Sequence, residues 1–290
     1  AEYLDANPPE AGDEWVITVD DTTGGNHQAR NFTLQFETEE PGQETFVVDG
    51  TEQSDAIYGT AIGDELSGNG GDDLIVGGAG DDEIDGGEGN DLIAPGAGAD
   101  NVDGGPGTDT VTYADAPGGV VVNLSLATEV ANDGFGSSDD LTSIEVVIGS
   151  NFADLLTGNA SSEGLFGGGG IDTIVGGTAS EIIAGGAGSD LLSGGGGTDT
   201  FFYDADTLAG TDIDTIADFD LNDDKFDVSE LLGDGPIDGT NVNLADGGSN
   251  STLVQVDTGS GFQTIAELAN VDFGTAPTIQ DEGGGQFTVA

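Results

Sequence analysis

Carboxylates recur at every ninth position over two stretches of this chain, and that spacing is the first feature that could do chemistry. From Gly50 the sequence reads GTEQSDAIY, GTAIGDELS, GNGGDDLIV, GGAGDDEID, GGEGNDLIA, PGAGADNVD and GGPGTDTVT, ending at Thr112. A second block runs from Gly149 to Phe202: GSNFADLLT, GNASSEGLF, GGGGIDTIV, GGTASEIIA, GGAGSDLLS and GGGGTDTFF. The sixth position is always acidic: Asp55, Asp64, Asp73, Asp82, Asp91, Asp100 and Asp109, then Asp154, Glu163, Asp172, Glu181, Asp190 and Asp199. The eighth position is always apolar, and the first is Gly except at Pro95. Such an array suits hard cations. The 57 acids face only 2 bases, Arg30 and Lys225, for a net charge of −55, so ion pairing within the chain cannot neutralise it.

Composition removes most other chemistries. A single His27 rules out any site needing two imidazoles, including a zinc HExxH, and with no Cys there are no thiolate sites or disulfides. Neither a Ser-His-Asp arrangement nor a G-x-S-x-G elbow is present, so the sequence reads as a non-enzyme. Nucleic acid and anionic membranes are excluded as electrostatic partners, because both are held by Lys and Arg. No apolar run approaches about 18 residues, so membrane insertion is not expected. The hydrophobic share of 35% argues against a large conventional core.

The elements that would position the acids follow from the other repeat positions. Glycine adopts backbone angles closed to other residues and lets carbonyls crowd a ligand, so the first half of each unit reads as a turn. The second half, with one aliphatic residue between polar neighbours, reads as a short strand. The pattern resembles the G-x-G-rich nonapeptide of the RTX (repeats-in-toxin) family. That resemblance implies an all-β fold of two parallel β-rolls, 50–112 and 149–202, in which GGxGxD turns and three-residue strands alternate and two units complete a coil. The inward stack is then Ile57, Leu66, Ile75, Ile84, Ile93, Val102 and Val111 in the first block. In the second it is Leu156, Leu165, Ile174, Ile183, Leu192 and Phe201.

With two units per coil, acids 18 residues apart stack as Asp55–Asp73–Asp91–Asp109 and Asp64–Asp82–Asp100, and later as Asp154–Asp172–Asp190 and Glu163–Glu181–Asp199. Carboxylates about 5 Å apart repel by about 3 kcal/mol per pair at an effective dielectric of about 20. Calcium answers this best, because it accepts six to eight hard oxygens in loose geometry. The expected donors are the eleven aspartates with the turn glycines Gly68, Gly70, Gly77, Gly78, Gly80, Gly86, Gly87, Gly89, Gly96, Gly98 and Gly105. In the second block they are Gly167, Gly168, Gly170, Gly185, Gly186 and Gly188. One ion between successive coils gives at most about nine Ca²⁺ by this rung count. The 163/181 edge is expected to be calcium-poor, because both units carry Glu and lack the fourth-position Gly. The units of Asp55 and Asp64 are the weakest of the first block, and the surest sites lie within 68–109.

Outside the repeats, residues 1–49 read as a β cap or interaction segment, with alternation at Trp15, Ile17 and Val19 and at Phe32, Leu34 and Phe36; His27 and Arg30 fall on a loop. Residues 113–148 resemble the connector between RTX blocks, with a VVVNL strand and a D-x-L-x-S-I-E strand; Asp133, Asp139 and Asp140 are candidate extra ligands. Residues 203–290 resemble the C-terminal cap and secretion-signal region of type I secretion substrates, with a hairpin around TGSG and a final QFTVA strand. No N-terminal signal peptide is visible, and Ala1 fits a nearly whole natural chain. The sequence therefore reads as a secreted bacterial protein, extracellular or on the cell surface. It would fold on Ca²⁺ outside the cell, after transit through the type I machinery, and self-associate through terminal β segments into a filament, surface layer or matrix. The alternative is a monomeric calcium-binding adhesin or accessory module.

Overall fold

The computed structural model describes residues 33–40, 43–125, 130–205, 212–233, 237–238, 240–248, 251–259, 261–271 and 279–289. Trp15, Ile17, Val19, His27, Arg30 and Phe32 lie outside the described residues. Short strands separated by glycine turns cannot bury an apolar face alone, and stacking is what gives them one. Each strand pairs in parallel with the strand 18 residues on, Ile57 opposite Ile75 and Leu66 opposite Ile84. Two units therefore make one coil, and alternate units fall on alternate faces.

One face is a single sheet of eleven strands that runs through both blocks. It contains Ala56–Tyr58, Leu74–Ala79, Leu92–Ala97 and Thr110–Thr112, then Val146–Ile148 from the connector. It continues with Gly164–Gly169, Ile182–Ala187, Thr200–Phe202, Lys225–Asp227, Gln286–Val289 and Ile279–Gly283. The other face is split. A six-stranded sheet carries Glu65–Ser67, Glu83–Asp85 and Asn101–Asp103, extended by Asp140–Thr142 at one end and by the hairpin Thr33–Glu40 with Gln43–Asp49 at the other. A nine-stranded sheet carries Leu155–Thr157, Thr173–Val175 and Leu191–Ser193, flanked by Val121–Asn123 and Val130–Asn132 on one side. Asp214–Ile216 and the three-stranded meander Val242–Asp246, Ser251–Asp257 and Phe262–Ala269 lie on the other.

All thirteen expected inward residues are buried, none more than 5% exposed. The core ends in a stack of rings, with Phe226 lying 4.9 Å from Phe219 and 5.1 Å from Phe287 between ring centroids. Two expectations need correction. The repeat strands are three residues long on the split face, but on the other face Leu74–Ala79, Leu92–Ala97, Gly164–Gly169 and Ile182–Ala187 are six, because pairing continues into the next turn, as in Gly78 opposite Gly96. The D-x-L-x-S-I-E segment, residues 139–145, is not one strand: only Asp140–Thr142 is strand within it, and a second strand, Val146–Ile148, follows it. Ser143 adopts a φ of 54° between Asp140–Thr142 and Val146–Ile148, which sends the two strands to different faces.

Candidate metal centre

The sixth-position acids sit where each turn hands over to its strand, and the coil register stacks them as two ladders. Each rung is fixed in the same way: the backbone N–H of one acid donates to Oδ1 of the acid on the next coil. Asp73 donates to Asp91, Asp82 to Asp100, Asp91 to Asp109, Asp154 to Asp172 and Asp172 to Asp190, all at 2.8 Å. One carboxylate oxygen per rung is thereby used. The other is not: Oδ2 of Asp73, Asp82, Asp91, Asp100, Asp109, Asp172 and Asp190 is buried without a hydrogen-bond partner. A buried acceptor left unsatisfied costs about 1–3 kcal/mol, more when charged. Seven in register mark a place for a ligand.

Burial is the main cause of the ladder's altered acidity. Loss of water pushes Asp82 and Asp172 up to about 7, and Asp73, Asp100 and Asp109 up to about 6; the amide bonds pull the other way and neighbouring carboxylates push further up.

The turn geometry explains the first-position glycine. A Cβ on Gly86 would stand 2.5 Å from Asp91 Oδ2 and 2.5 Å from the Gly104 carbonyl oxygen of the next coil. Gly68 stands in the same relation to Asp73 Oδ2 and the Gly86 carbonyl, at 2.3 Å each. Any side chain would fill the space onto which the unpartnered carboxylate oxygen and a main-chain carbonyl converge.

Four stretches of the chain, residues 58–93, 96–113, 142–174 and 175–207, match the family model of the RTX calcium-binding nonapeptide repeat. The chain belongs to the RTX family. It is similar to the AlgE6R3 subunit of the mannuronan C5-epimerase from Azotobacter vinelandii, with 30% identity over 40% of this chain and 71% of that one, at a TM-score of 0.31. It is also similar to the extracellular lipase LipA from Serratia marcescens, with 17% identity over 78% of this chain and 39% of that one, at a TM-score of 0.34. No curated protein matches it.

The RTX ladders fit calcium. Among the described residues no three acidic or imidazole side chains converge as a metal cluster. The donors on offer are instead the unpartnered carboxylate oxygens of seven turns beside main-chain carbonyls, the mixed hard-oxygen set that Ca²⁺ accepts and that zinc or copper would not choose. When bound, the ion would supply the positive charge that lets the stacked carboxylates coexist.

The ladders extend beyond the nonapeptides, which the repeat pattern could not show. Asp100 donates its N–H to Asp139 at 3.1 Å and Asp109 to Glu145 Oε2 at 3.0 Å. At the far end Asp190 donates to Asp214 and Asp199 to Asp224, both at 3.0 Å. The intervals of 39, 36, 24 and 25 residues replace 18. Asp139 was a candidate ligand, whereas Glu145, Asp214 and Asp224 were missed. The acid ahead of the strand was the available signal. Asp133, also a candidate, is fully buried; its Oδ1 accepts the N–H groups of Phe135, Gly136 and Ser137, and its Oδ2 has no partner. Asp140 is exposed.

Glu163 departs from the expected ladder. It is exposed and accepts a hydrogen bond from Thr108, while Ser162 turns inward and its Oγ accepts the Asn159 N–H at 2.7 Å. The inward place in this turn is taken by Ser162 in place of Glu163. Glu181 stays in its ladder, buried, with Oε2 unpartnered.

Proposed function

We propose that this chain is a secreted structural subunit that takes up several Ca²⁺ ions outside the cell, folds on them, and assembles end to end into a filament, surface layer or matrix. The observation that carries the assembly is the eleven-stranded sheet. Among the described residues, its terminal strands Ala56–Tyr58 and Ile279–Gly283 each have a neighbour on one side only. Open edges are templates for strand addition, and a second copy offers the complementary end of the same sheet. Beside the first edge lies a cavity of about 190 Å³ lined in part by Phe46, Val48, Ile57 and Tyr58, with Tyr58 60% exposed.

Calcium-coupled folding suits export. At the low calcium of a cytosol, self-repulsion among 57 acids keeps the chain expanded and competent for the type I route; outside, binding and folding become one reaction. The role needs no catalytic step, no nucleic acid and no insertion into a membrane. Among the described residues no helix is long and apolar enough to cross one. The hairpin Thr33–Glu40 with Gln43–Asp49 favours the second reading, a monomeric adhesin or accessory module, because it covers the end of the six-stranded sheet as a cap would. Electron microscopy with millimolar Ca²⁺ and then a chelator decides between them. Polymers that dissolve with the chelator are expected, and particles of 28.9 kDa throughout would overturn the assembly.

A further inference from the structure

The thirteen turns are not alike, and the difference lies at the second repeat position. In eight of them that residue is left-handed: Asn69 has φ 67°, and the glycines run from Gly186 and Gly195 at 88° to Gly78 at 111°. In seven of these eight the acid of the same unit keeps a buried, unpartnered Oδ2, and among the other five only Glu181 keeps such an oxygen. In the other five turns the second residue is outside the left-handed region, and its N–H points back into its own turn. Thr51 donates to Asp55 Oδ2 at 2.7 Å, Thr60 to Asp64 Oδ2 at 2.5 Å and Ser150 to Asp154 Oδ2 at 2.6 Å. Asn159 donates to Ser162 Oγ at 2.7 Å and Gly177 to Glu181 Oε1 at 3.2 Å. In the first three a side-chain hydroxyl adds a second bond to the same carboxylate.

We propose that the backbone at the second repeat position selects which turns take calcium: left-handed turns present their acid to an ion, whereas Thr51, Thr60 and Ser150 satisfy theirs with their own amide and hydroxyl. This rests on the calcium-binding reading of the repeats. Four of the five closed turns, those of Thr51, Thr60, Ser150 and Asn159, make up the first coil of each block. Each roll therefore opens on a coil tied internally, and the ions begin one coil in. The physical exchange is direct. An amide N–H placed 2.5–2.7 Å from Oδ2 occupies the direction an ion would take, and it satisfies the charge without a metal.

The test needs two measurements on the full chain in millimolar calcium. In the crystal, a calcium anomalous map of the unaltered protein should place ions about 2.3–2.6 Å from Oδ2 of Asp82, Asp91 and Asp172. It should show none in coordination range of Asp64 or Asp154. In solution, native mass spectrometry should show fewer bound ions for Asp172→Asn and the unaltered count for Asp154→Asn, two neighbouring rungs of one ladder. An ion on Asp64 or Asp154, with the Thr60 or Ser150 amide turned away, overturns the selection rule, as does an ion lost from Asp154→Asn. A map with no ion at any rung contradicts the calcium reading itself, a different failure from ions at the wrong rungs.

Discussion

The phenol of Tyr113 donates to Asp139 Oδ2 at 2.9 Å, while Oδ1 of the same carboxylate accepts the Asp100 N–H. Tyr113 follows the last inward residue of the first block, Val111, by two positions, and is itself buried. It satisfies the acid that ends a ladder. Burial pushes Asp139 up to about 7, and the Tyr113 bond pulls it down. Tyr113→Phe leaves a buried oxygen unpartnered and should cost about 1–3 kcal/mol in denaturant unfolding at saturating calcium. An unchanged midpoint would show that the bond contributes nothing.

The inward stack makes a second prediction. Ile93 is fully buried on the third strand from one edge of the eleven-stranded sheet, whereas its neighbour Leu92 faces out and is 39% exposed. Ile93→Ala should cost about 2–5 kcal/mol through lost burial and the cavity left behind. Leu92→Ala should cost well under half of that in the same assay. Equal losses would mean the strand's inside and outside are assigned wrongly.

Gly86 gives the third. A methyl group there meets both Asp91 Oδ2 and the Gly104 carbonyl. Gly86→Ala should raise the calcium concentration at the folding midpoint several-fold, read by circular dichroism during a calcium titration. A midpoint matching the unaltered protein would show that the space is not needed.

Much of this was legible in the sequence because a nonapeptide register is a strong constraint. A glycine turn, an acid and one aliphatic residue repeated without a slip fix both the coil and the inward stack, and Ile57 through Phe201 lie inside as that register requires. The hairpin around TGSG was equally plain, with Asp257 opposite Phe262. The ladder ends were not. Asp214 and Asp224 join by spatial register across loops of other lengths, and no period announces them. Nor did the sequence show that the connector strand Val146–Ile148 fuses the two blocks into one sheet, because pairing with Thr110–Thr112 and Gly164–Gly169 is a tertiary choice. The contrast between turn types was half visible: Thr51, Thr60 and Ser150 stand where Gly is usual, yet Gly177 behaves as they do.

Acidity makes the fourth prediction. In the metal-free fold burial lifts Asp82 and Asp172 to about 7, and Asp73, Asp100 and Asp109 to about 6, from the ordinary aspartate value of 3.8. A folded carboxyl raised above its unfolded value binds protons more tightly in the native state. Its stabilising contribution is complete below the unfolded value and is lost as pH rises through about 6–7. In calcium-free buffer, β-structure should therefore appear on acidification toward pH 4 and vanish by pH 8, followed by far-ultraviolet circular dichroism. Folding that strengthens toward pH 8 without calcium would contradict this.

The central claim is that this polyanion becomes compact because calcium joins successive coils. The most direct test is far-ultraviolet circular dichroism of the full chain at pH 7.5, first in excess chelator and then with millimolar Ca²⁺ restored. A coil spectrum that converts to β on calcium addition, and reverts when chelator returns, is the predicted result. A β-rich spectrum that persists in excess chelator would contradict it.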